Sequence, residues 1–375
     1  MRLDDLKQLA DGTRVYLVPV GPVFRDDRAV PFAGTGLMFS GFRFIARLGG
    51  DILIDQHATA AELRNGAAQA ARPVAEQILT QLSGLAVPRM PIPLPRLDKR
   101  LHYSRPLIMG VLNVTPDSFS DGGNFVDPGK AVEHALHMAA EGADIIDIGG
   151  ESTRPGAEPV WEGEEADRVV PVIEALQEHF IPLSIDTRHS FVMEKALNAG
   201  AHIINDVTAL TYDPESMAVA AASGAPVILM HSKGDPETMQ DSPSYNNTLL
   251  DVFDYLKERV AACEAAGIER SRLILDPGIG FGKRMVQDNL ALINGLPLLH
   301  TLGCPLLFGA SRKSFIGAIS GETDPSKRLP ASLAAAMKAV ELGAQIVRVH
   351  DVAETKQALS LVQAFKDAAM MDGLS

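Results

Sequence analysis

Eight short apolar runs that alternate with helical patterns constrain the fold of this chain most strongly. Fully apolar runs of this length between helices are typical of parallel strands that are buried on both faces. The runs occupy a segment of about 265 residues, and a (β/α)8 TIM barrel typically needs about 250. We therefore predict an α/β barrel whose strands are Leu107–Asn113, Ala143–Ile148, Ile181–Asp186, His202–Asn205, Pro226–His231, Arg272–Asp276, Pro305–Gly309 and Gln345–His350.

The patterns between the runs predict the barrel helices, at about 128–141, 162–179, 189–199, 215–223, 247–266, 286–296, 327–342 and 353–370. Polar residues at the C-terminal strand ends are the first candidates for a site, because a TIM barrel builds its active site at that face. The loops 113–127, 149–161 and 231–246 are rich in Gly, Pro, Ser and Asp, and we expect them to be mobile loops over the site.

Residues 1–100 lie outside the barrel pattern and predict a small N-terminal α+β appendage of unknown role. Its expected elements are strands at Tyr16–Val20 and Leu37–Ile45 and a helical stretch at Ala58–Leu85 that Pro73 interrupts. Four prolines in Pro88–Pro95 favour an extended, semi-rigid spacer at its end. The expected barrel domain is then 101–375.

The chain has 375 residues, of which 46% are hydrophobic and 22% charged, as expected of a globular protein with a large core. Its net charge of -13 argues against nucleic-acid binding, because phosphate contacts need a basic face. No apolar run approaches membrane-spanning length, and the acidic N-terminus does not resemble a signal peptide. Cys263 and Cys304 are too few for a disulfide framework, so we expect a cytoplasmic protein without nucleic-acid or membrane partners.

Two loop sequences, after the first and second strands, carry polar groups suited to an anionic ligand. In MGVLNVTPDSFSDGG the strand ends at Asn113, whose amide suits a metal or phosphate oxygen, although an Asx turn is an alternative. In DIGGESTRPG two glycines allow close backbone approach, and Thr153 and Arg154 offer a hydroxyl and a guanidinium. An arginine in such a loop is often only a surface ion pair, so neither loop alone defines a site.

Asp186, Asn205 and Asp276 each end an apolar strand, and we expect them in the same barrel mouth. A carboxylate there is costly to desolvate unless it meets a donor. The paired donors of an amino-pyrimidinone edge suit one carboxylate, and an amide that both donates and accepts suits ring nitrogens. A helix cap explains Asp186 alone equally well, but three such residues in register favour a site for a heterocycle.

The glycine-rich segment GIGFGK, residues 278–283, has only a superficial likeness to a phosphate loop. It lacks the Walker spacing, and Arg284 stands where that motif has Ser or Thr. No dinucleotide-binding fingerprint follows the first strand. We interpret these glycines as shaping a loop that presents Phe281.

The last two strands are followed or ended by basic residues. Ser311, Arg312 and Lys313 follow the seventh strand, and Arg348 and His350 finish the eighth. Loops after strands seven and eight often make the phosphate site of such a barrel. Arg348 and His350 are two apart on a strand, so they point to the same side and can hold an anion together. A neutral core histidine is the alternative for His350.

Together these segments resemble dihydropteroate synthase, a family of the folate pathway. The matching segments run in order from about 107 to 352 and read MGVLNVTPDSFSDGG, DIGGESTRPG, SIDT, HIINDV, LMH, LILDPGIGFGK, SRKSFIG and RVHDV. The resemblance implies a homodimeric TIM barrel that requires Mg²⁺ and is a sulfonamide target. It implies a transferase that joins 6-hydroxymethyl-7,8-dihydropterin pyrophosphate to p-aminobenzoate and releases 7,8-dihydropteroate and pyrophosphate.

Carried over position by position, the resemblance assigns each group of residues to one part of the substrates. It places in the pterin pocket Asp186, Asn205, Met230, Asp276 and Lys313. It places around the pyrophosphate Asn113, Arg154, Arg348 and His350, with Asn113 also near the magnesium. It places around p-aminobenzoate Phe119, Thr153, Pro155, Phe281, Ser311 and Arg312. The implied catalytic residues are Asp186, Lys313, Arg348 and His350.

The implied chemistry is SN1-like, because departure of pyrophosphate from an electron-rich pterin methylene leaves a delocalised cation. Asp186 can stabilise that cation, while magnesium, Arg348 and His350 neutralise the leaving group. The arylamine then attacks and needs no strong base, consistent with the lack of an obvious catalytic dyad in the sequence.

Two stretches depart from the family pattern, and three other functions compete with it. After His231 the chain reads SKGDPETMQ, where the family more often has Met-Gln before the Gly, and residues 1–100 match nothing in the core family. A pterin-binding methyltransferase acting on methyltetrahydrofolate and a corrinoid would share the acid–amide set but would not use a pyrophosphate clamp. A scaffold barrel predicts losses among these residues, and a sugar-phosphate barrel does not explain the pterin set.

Overall fold

A computed structural model of the chain describes residues 3–23, 29–115, 127–152, 159–234 and 238–370. Its first part is a four-stranded antiparallel sheet with two helices. The elements are β1 (Arg14–Val23), β2 (Val30–Pro31), β3 (Met38–Leu48), β4 (Asp51–Thr59), α1 (Ala60–Gln69) and α2 (Arg72–Ala86), after a 3-10 helix at Leu3–Gln8. β3 pairs with the other three strands. The predicted α+β appendage is confirmed.

Local sequence explains the helices of the appendage. The Thr59 side chain accepts from the backbone N–H of Glu62 while the Glu62 carboxylate accepts from that of Thr59, a capping box that begins α1. The predicted break between the helices is confirmed, because Pro73 lies in the first turn of α2, where a proline needs no helical hydrogen bond. One face of the sheet and both helices enclose a core of their own that includes Leu17, Phe44 and Ile78.

A short hairpin follows, and then the eight strands of the barrel. The hairpin is β5 (Ile92–Leu94) and β6 (Lys99–Leu101), and the barrel strands are β7 (Leu107–Asn113), β8 (Ile145–Gly149), β9 (Leu183–Asp186), β10 (Ile203–Asp206), β11 (Val227–Met230), β12 (Leu273–Asp276), β13 (Leu307–Phe308) and β14 (Ile346–Val349). These strands form one parallel sheet, and a parallel bridge between Leu275 and Leu306 joins its two ends. The predicted TIM barrel is confirmed, with strand bounds that differ by at most two residues.

One or two helices follow each strand on the outside of the barrel. They are α3 (Pro128–Glu141), α4 (Glu162–Leu176), α5 (Ser190–Ala199), α6 (Ser216–Ser223), α7 (Thr248–Ala265), α8 (Gln287–Asn294), α9 (Leu296–Leu299), α10 (Ser314–Ser320), α11 (Leu329–Glu341) and α12 (Val352–Met370). α10 was not among the predicted helices, and the stretch expected at 286–296 ends at Asn294, before the short α9. Within the described ranges no helix is both long and apolar enough to cross a membrane.

The hairpin packs against the barrel at the end opposite the strand termini that carry polar residues. Ile92 and Leu94 are fully buried and belong to one cluster with Met109, Ile203 and Ile346, which lie near the starts of their strands. The stretch Pro88–Pro95 was expected to be an extended spacer. It is extended, but its second half is a strand that covers the lower end of the barrel interior.

The second face of the appendage sheet packs on the outside of the barrel. Tyr16 and Ile45 belong to the same hydrophobic cluster as the barrel, and the Tyr16 ring meets Phe253 of α7 edge-on with centroids 5.5 Å apart. The Tyr16 hydroxyl donates to Asp254 at 2.8 Å, and Arg47 donates to the same carboxylate at 2.5 Å. The appendage therefore buries apolar surface both within itself and on α7.

Candidate active site

The parallel register brings the predicted polar residues to one level at the C-terminal face of the barrel. Asp186 at the end of β9 lies opposite Gly149 of β8 and Asn205 of β10, and Met230 of β11 lies opposite Asp276 of β12. Asp186, Asn205, Met230 and Asp276, four of the five predicted pterin residues, are each at least nine-tenths buried. The three strand-end residues singled out from the sequence therefore do share one mouth, as expected.

Arg348 stands at the centre of this mouth and pairs with two carboxylates. Its Nε donates to Asp147 Oδ2 and its Nη2 to Asp186 Oδ2, both at 2.6 Å. Asn205 donates to the same oxygen of Asp147 at 3.0 Å. One guanidinium, two carboxylates and one amide therefore form a connected network from four different strands.

Asp147 was not identified from the sequence, although it belongs to this network and is fully buried. The strand period held the signal, because Ile145 and Asp147 are two apart on β8 and so share a face. Ile145 belongs to the cluster inside the barrel, which places Asp147 on the inner face as well. A carboxylate on the inner face of a barrel strand needs a partner, and Arg348 is that partner.

Two carboxylate oxygens of the network have no donor among the residues that the structure describes. They are Asp147 Oδ1 and Asp186 Oδ1. Burial raises the pKa of Asp186, the Arg348 guanidinium opposes that change, and the charge of Asp147 adds to it. Burial also raises the pKa of Asp276, against the nearby charge of Lys313. The mouth thus holds more carboxylate groups than its described donors satisfy.

Lys313 follows β13, the strand next to that of Arg348, and lies beside an aromatic ring. Its Nζ donates to the carbonyl oxygen of Ile279 and lies 4.5 Å from the centroid of the Phe281 ring. Burial lowers the pKa of Lys313 to about 8, although the charge of Asp276 favours the ammonium form. Asp276 accepts from the Gly278 N–H at 2.7 Å through one oxygen.

The GIGFGK segment forms a tight loop that a buried lysine holds from inside. Gly278 has a φ of +68°, and a Cβ there would lie 1.8 Å from the carbonyl oxygen of His231, so only glycine fits. Lys283 donates to the carbonyls of Gly278 at 3.0 Å and Phe281 at 2.8 Å, and its Nζ lies 2.9 Å from His231 Nδ1. This lysine, which sequence reasoning did not single out, shapes the loop that presents Phe281.

Ser311, Arg312 and His350 lie together after β13 and β14. The Ser311 hydroxyl is 3.0 Å from His350 Nδ1, and His350 is only partly buried, which disfavours the alternative of a core histidine. The Arg312 guanidinium pairs with Asp351 rather than standing alone. Asn113, the last residue of β7, lies opposite Gly149 and is partly buried. The other predicted site residues, Phe119, Thr153, Arg154 and Pro155, lie outside the described residues.

Comparisons with known proteins agree with this geometry. Residues 109–350 match the pattern of the pterin binding enzyme family. The chain is 48% identical over 265 residues to dihydropteroate synthase of Escherichia coli (strain K12), a match that covers 70% of this chain and 93% of that protein. It superposes on Yersinia pestis dihydropteroate synthase in a sulfonamide drug complex with a TM-score of 0.69 and 46% identity, covering 74% of this chain and 100% of that one.

A second solved structure is Xanthomonas albilineans dihydropteroate synthase with 4-aminobenzoic acid. It matches with a TM-score of 0.69 and 46% identity, and the match covers 74% of this chain and 99% of that one. The relatives are thus covered almost completely, and the part of this chain that they leave unmatched is about as long as the N-terminal extension. On its motifs, fold, site and relatives, the chain belongs to the dihydropteroate synthase family, transferases of folate biosynthesis that make 7,8-dihydropteroate from a pterin pyrophosphate and p-aminobenzoate.

Proposed function

We propose that Asp186, Asn205 and Asp276 bind the pterin ring, with Met230 and Lys313 completing the pocket. The observation that carries this proposal is the excess of buried acceptors, since Asp147 Oδ1 and Asp186 Oδ1 lack donors in the described part of the chain. The amino and ring N–H groups of a pterin supply such donors. Gly278 occupies one oxygen of Asp276, which leaves the other oxygen for the ligand.

We propose that the pyrophosphate lies toward Asn113, Arg154, Arg348 and His350. The ion pairs refine the role of Arg348, because its Nε and Nη2 already serve Asp147 and Asp186. Its Nη1 and the second hydrogen of Nη2 are left for an oxygen of the leaving group. His350 Nδ1 lies 3.0 Å from the Ser311 hydroxyl, and replacing His350 leaves both ion pairs of Arg348 in place, so His350 is the cleaner reporter of pyrophosphate binding.

We propose that p-aminobenzoate binds beside the Phe281 ring, between the GIGFGK loop and Ser311, with Phe119, Thr153 and Pro155 completing its pocket. Phe281 is partly buried and fixed by the loop that Lys283 holds. Because Arg312 is paired with Asp351, its contribution is to the charge and shape of the pocket wall. A sulfonamide shares the arylamine and the para-anionic character of p-aminobenzoate, so we expect it to compete for this pocket.

We propose that Mg²⁺ binds together with the pyrophosphate, near Asn113. The residues fit such an ion, because Asn113 offers an amide oxygen at the strand end, and Mg²⁺ prefers oxygen ligands and often keeps substrate phosphates among them. When bound, the ion would neutralise part of the pyrophosphate charge.

We propose an SN1-like reaction. The bond between the pterin methylene and the pyrophosphate oxygen breaks, and the electron pair leaves with the pyrophosphate, whose charge His350 and Arg348 stabilise. The Asp186 carboxylate, held by Arg348 at 2.6 Å, stabilises the pterin cation. The amine of p-aminobenzoate then forms the new C–N bond and releases a proton to solvent. In this reaction the described residues bind the substrates, orient them and balance the charges that develop.

We propose a homodimer and a cytoplasmic location. α12 exposes Leu361 and Phe365, which are one turn apart and expose 53% and 64% of their surfaces, and such neighbouring apolar side chains suit a contact with a second copy. Cys263 and Cys304 are both buried and unpaired, which suits a reducing compartment.

The assignment of the pyrophosphate side is tested by His350→Ala, with binding measured calorimetrically in the presence of Mg²⁺. We expect the pterin pyrophosphate to bind at least about tenfold more weakly, which corresponds to one lost hydrogen bond to a charged group. The matching pterin alcohol, which lacks the anion, should lose little affinity. The matched control is His57→Ala, since His57 is exposed on β4. Equal losses for the two ligands would show that His350 shapes the pocket instead.

A further inference from the structure

A second group of ionisable side chains lies at the base of the loop between β8 and α4. Glu165 of α4 is fully buried, and neither of its carboxylate oxygens makes a hydrogen bond of good geometry among the described residues, although the Thr187 side chain lies close to it. The Nε2 of His189, which precedes α5, is buried without a partner as well. A charged carboxylate without a well-placed donor is costly to bury, and a bound cation would offset that cost.

Glu151 completes the group and is oriented from its far side. Its carboxylate accepts from Arg188 at 2.9 and 3.1 Å and from the backbone N–H of Val160 at 3.1 Å. The Arg188 guanidinium lies 4.1 Å from the centroid of the Tyr212 ring. Arg188 balances the charge of Glu151, and Glu165 has no ion pair among the described residues.

The three potential ligand atoms, one each from Glu151, Glu165 and His189, all lie within 4.8 Å of one another. We propose that these residues bind a divalent transition-metal ion of the Zn²⁺ class. Two carboxylate oxygens and one imidazole nitrogen suit such an ion, whereas Mg²⁺ prefers oxygen ligands alone. Metal–ligand bonds of about 2.0–2.2 Å would draw the three atoms closer together.

The surroundings of the three residues resemble the outer shell of a metal site. Ligating carboxylates are commonly fixed by hydrogen bonds from neighbouring groups, and Arg188 and Val160 fix Glu151 in this way. A bound ion would tie together Glu151, α4 and the segment after β9. Because Glu151 also accepts from the Val160 N–H, the ion would restrain residues 151 and 160 together. This structural role would be separate from the reaction.

The test is a calorimetric titration of the chelator-treated full chain with Zn²⁺, in a large excess of Mg²⁺. We expect one Zn²⁺ per chain, with the affinity reduced at least about tenfold in Glu165→Gln and in His189→Ala. The matched control is Glu164→Gln, because Glu164 directly precedes Glu165 in α4, is exposed and pairs with Arg168. A second control is Asn113→Ala, at the proposed magnesium side. Both controls should bind Zn²⁺ as the unchanged chain does.

Three results would overturn the proposal. One is the absence of stoichiometric Zn²⁺ binding, and another is binding that Glu165→Gln and His189→Ala leave unchanged. The third is binding that only Asn113→Ala removes, which would assign the ion to the pyrophosphate side. If Glu165→Gln does not fold, His189→Ala decides, since His189 is partly exposed and its replacement leaves the Glu151–Arg188 ion pair in place. The experiment measures metal binding and not turnover, so its result does not depend on the assigned catalytic activity.

Discussion

At the scale of single residues, two buried carboxylates at the ends of barrel strands differ in how many hydrogen bonds they accept from the protein itself. Asp276 and Asp206 both end barrel strands and are both buried. Asp206 accepts from the hydroxyl and N–H of Thr208 and from the N–H of Leu210, so its oxygens are used by the following turn. The side chain of Asp276 accepts only from the Gly278 N–H among the described residues.

The pair Asp276→Asn and Asp206→Asn tests this distinction. We expect Asp276→Asn to weaken pterin binding by about tenfold to a hundredfold, because hydrogen bonds to a charged group contribute about 1.5–3 kcal/mol each. Its melting temperature should change little. Asp206→Asn should instead lower the melting temperature and keep most of the affinity. Calorimetry and thermal melting of both variants check the expectation, and a folded Asp276→Asn variant with unchanged affinity would contradict it.

The buried Lys283 makes the stability of the chain depend on pH. Burial lowers its pKa to about 7 from the ordinary 10.5, and the charge of Lys313 adds to that change. Between these values the unfolded chain holds the proton and the folded chain does not. The free energy of unfolding therefore rises with pH above 7, by at most about 1.4 kcal/mol per pH unit.

Lys283→Met should remove this dependence. We expect the difference in unfolding free energy between the unchanged chain and this variant to grow from pH 7 to pH 9. Denaturant unfolding at three pH values measures it, with Lys195→Met as the control, because Lys195 is exposed on α5. A difference that stays constant over this range would show that Lys283 does not titrate as stated.

The sequence predicted some of these residues and not others, for a physical reason. Asp186, Asn205 and Asp276 end apolar runs, and a strand end in a parallel barrel fixes which face of the molecule it reaches. Asp147 lies inside its strand and not at its end, and its partner Arg348 is 201 positions away in the sequence, so the strand-end pattern did not reveal it. Lys283 depends on how a loop closes around its side-chain nitrogen, which no local pattern shows.

At the scale of elements, the β5–β6 hairpin is the part that sequence patterns misjudged. Its prolines indicated a spacer, yet Ile92 and Leu94 are fully buried at the lower end of the barrel interior. The strands of the barrel were predicted almost to the residue, because each is buried on both faces and reads as a continuous apolar run. A three-residue strand with a central proline carries no such pattern.

Ile92→Ala tests the role of the hairpin. We expect a loss of about 2–5 kcal/mol in the free energy of unfolding, the usual cost of emptying a buried aliphatic site. Met90→Ala is the matched control, since Met90 exposes 63% of its surface, and its stability should be nearly unchanged. Chemical denaturation of both variants measures the difference. If the two behaved alike, the hairpin would be a spacer after all.

At the scale of the whole molecule, the appendage is attached to the barrel through buried charges. Arg47 is nearly buried and donates at 2.5 Å to both Asp251 and Asp254 of α7. Every described site residue lies on the barrel, so we propose that residues 1 to about 87 form an accessory unit that supplies no catalytic group. A truncation within the hairpin would instead remove part of the barrel core.

Arg47→Ala should loosen the appendage without harming turnover. Breaking a buried ion pair costs about 3–5 kcal/mol when it leaves unpaired charge behind, and we expect a loss below that range because Arg14 and Tyr16 still donate to Asp254. We expect a lower melting temperature and faster proteolysis within the first 90 residues, with kcat retained. Arg43→Ala is the control, since its pair with Asp55 is exposed and should be worth less than about 1 kcal/mol. A large loss of kcat in folded Arg47→Ala would show that the appendage reaches the active site.

The central assignment is that this barrel condenses a pterin pyrophosphate with p-aminobenzoate, and one assay tests it most directly. The purified full chain is mixed with both substrates and Mg²⁺, dihydropteroate is detected by mass, and released pyrophosphate is measured in parallel. We expect the two products in equal amounts, lost when Mg²⁺ is chelated and strongly reduced in Asp276→Asn. A folded chain that binds the pterin pyrophosphate but makes no dihydropteroate, or that transfers a methyl group from methyltetrahydrofolate to a corrinoid instead, would contradict the assignment.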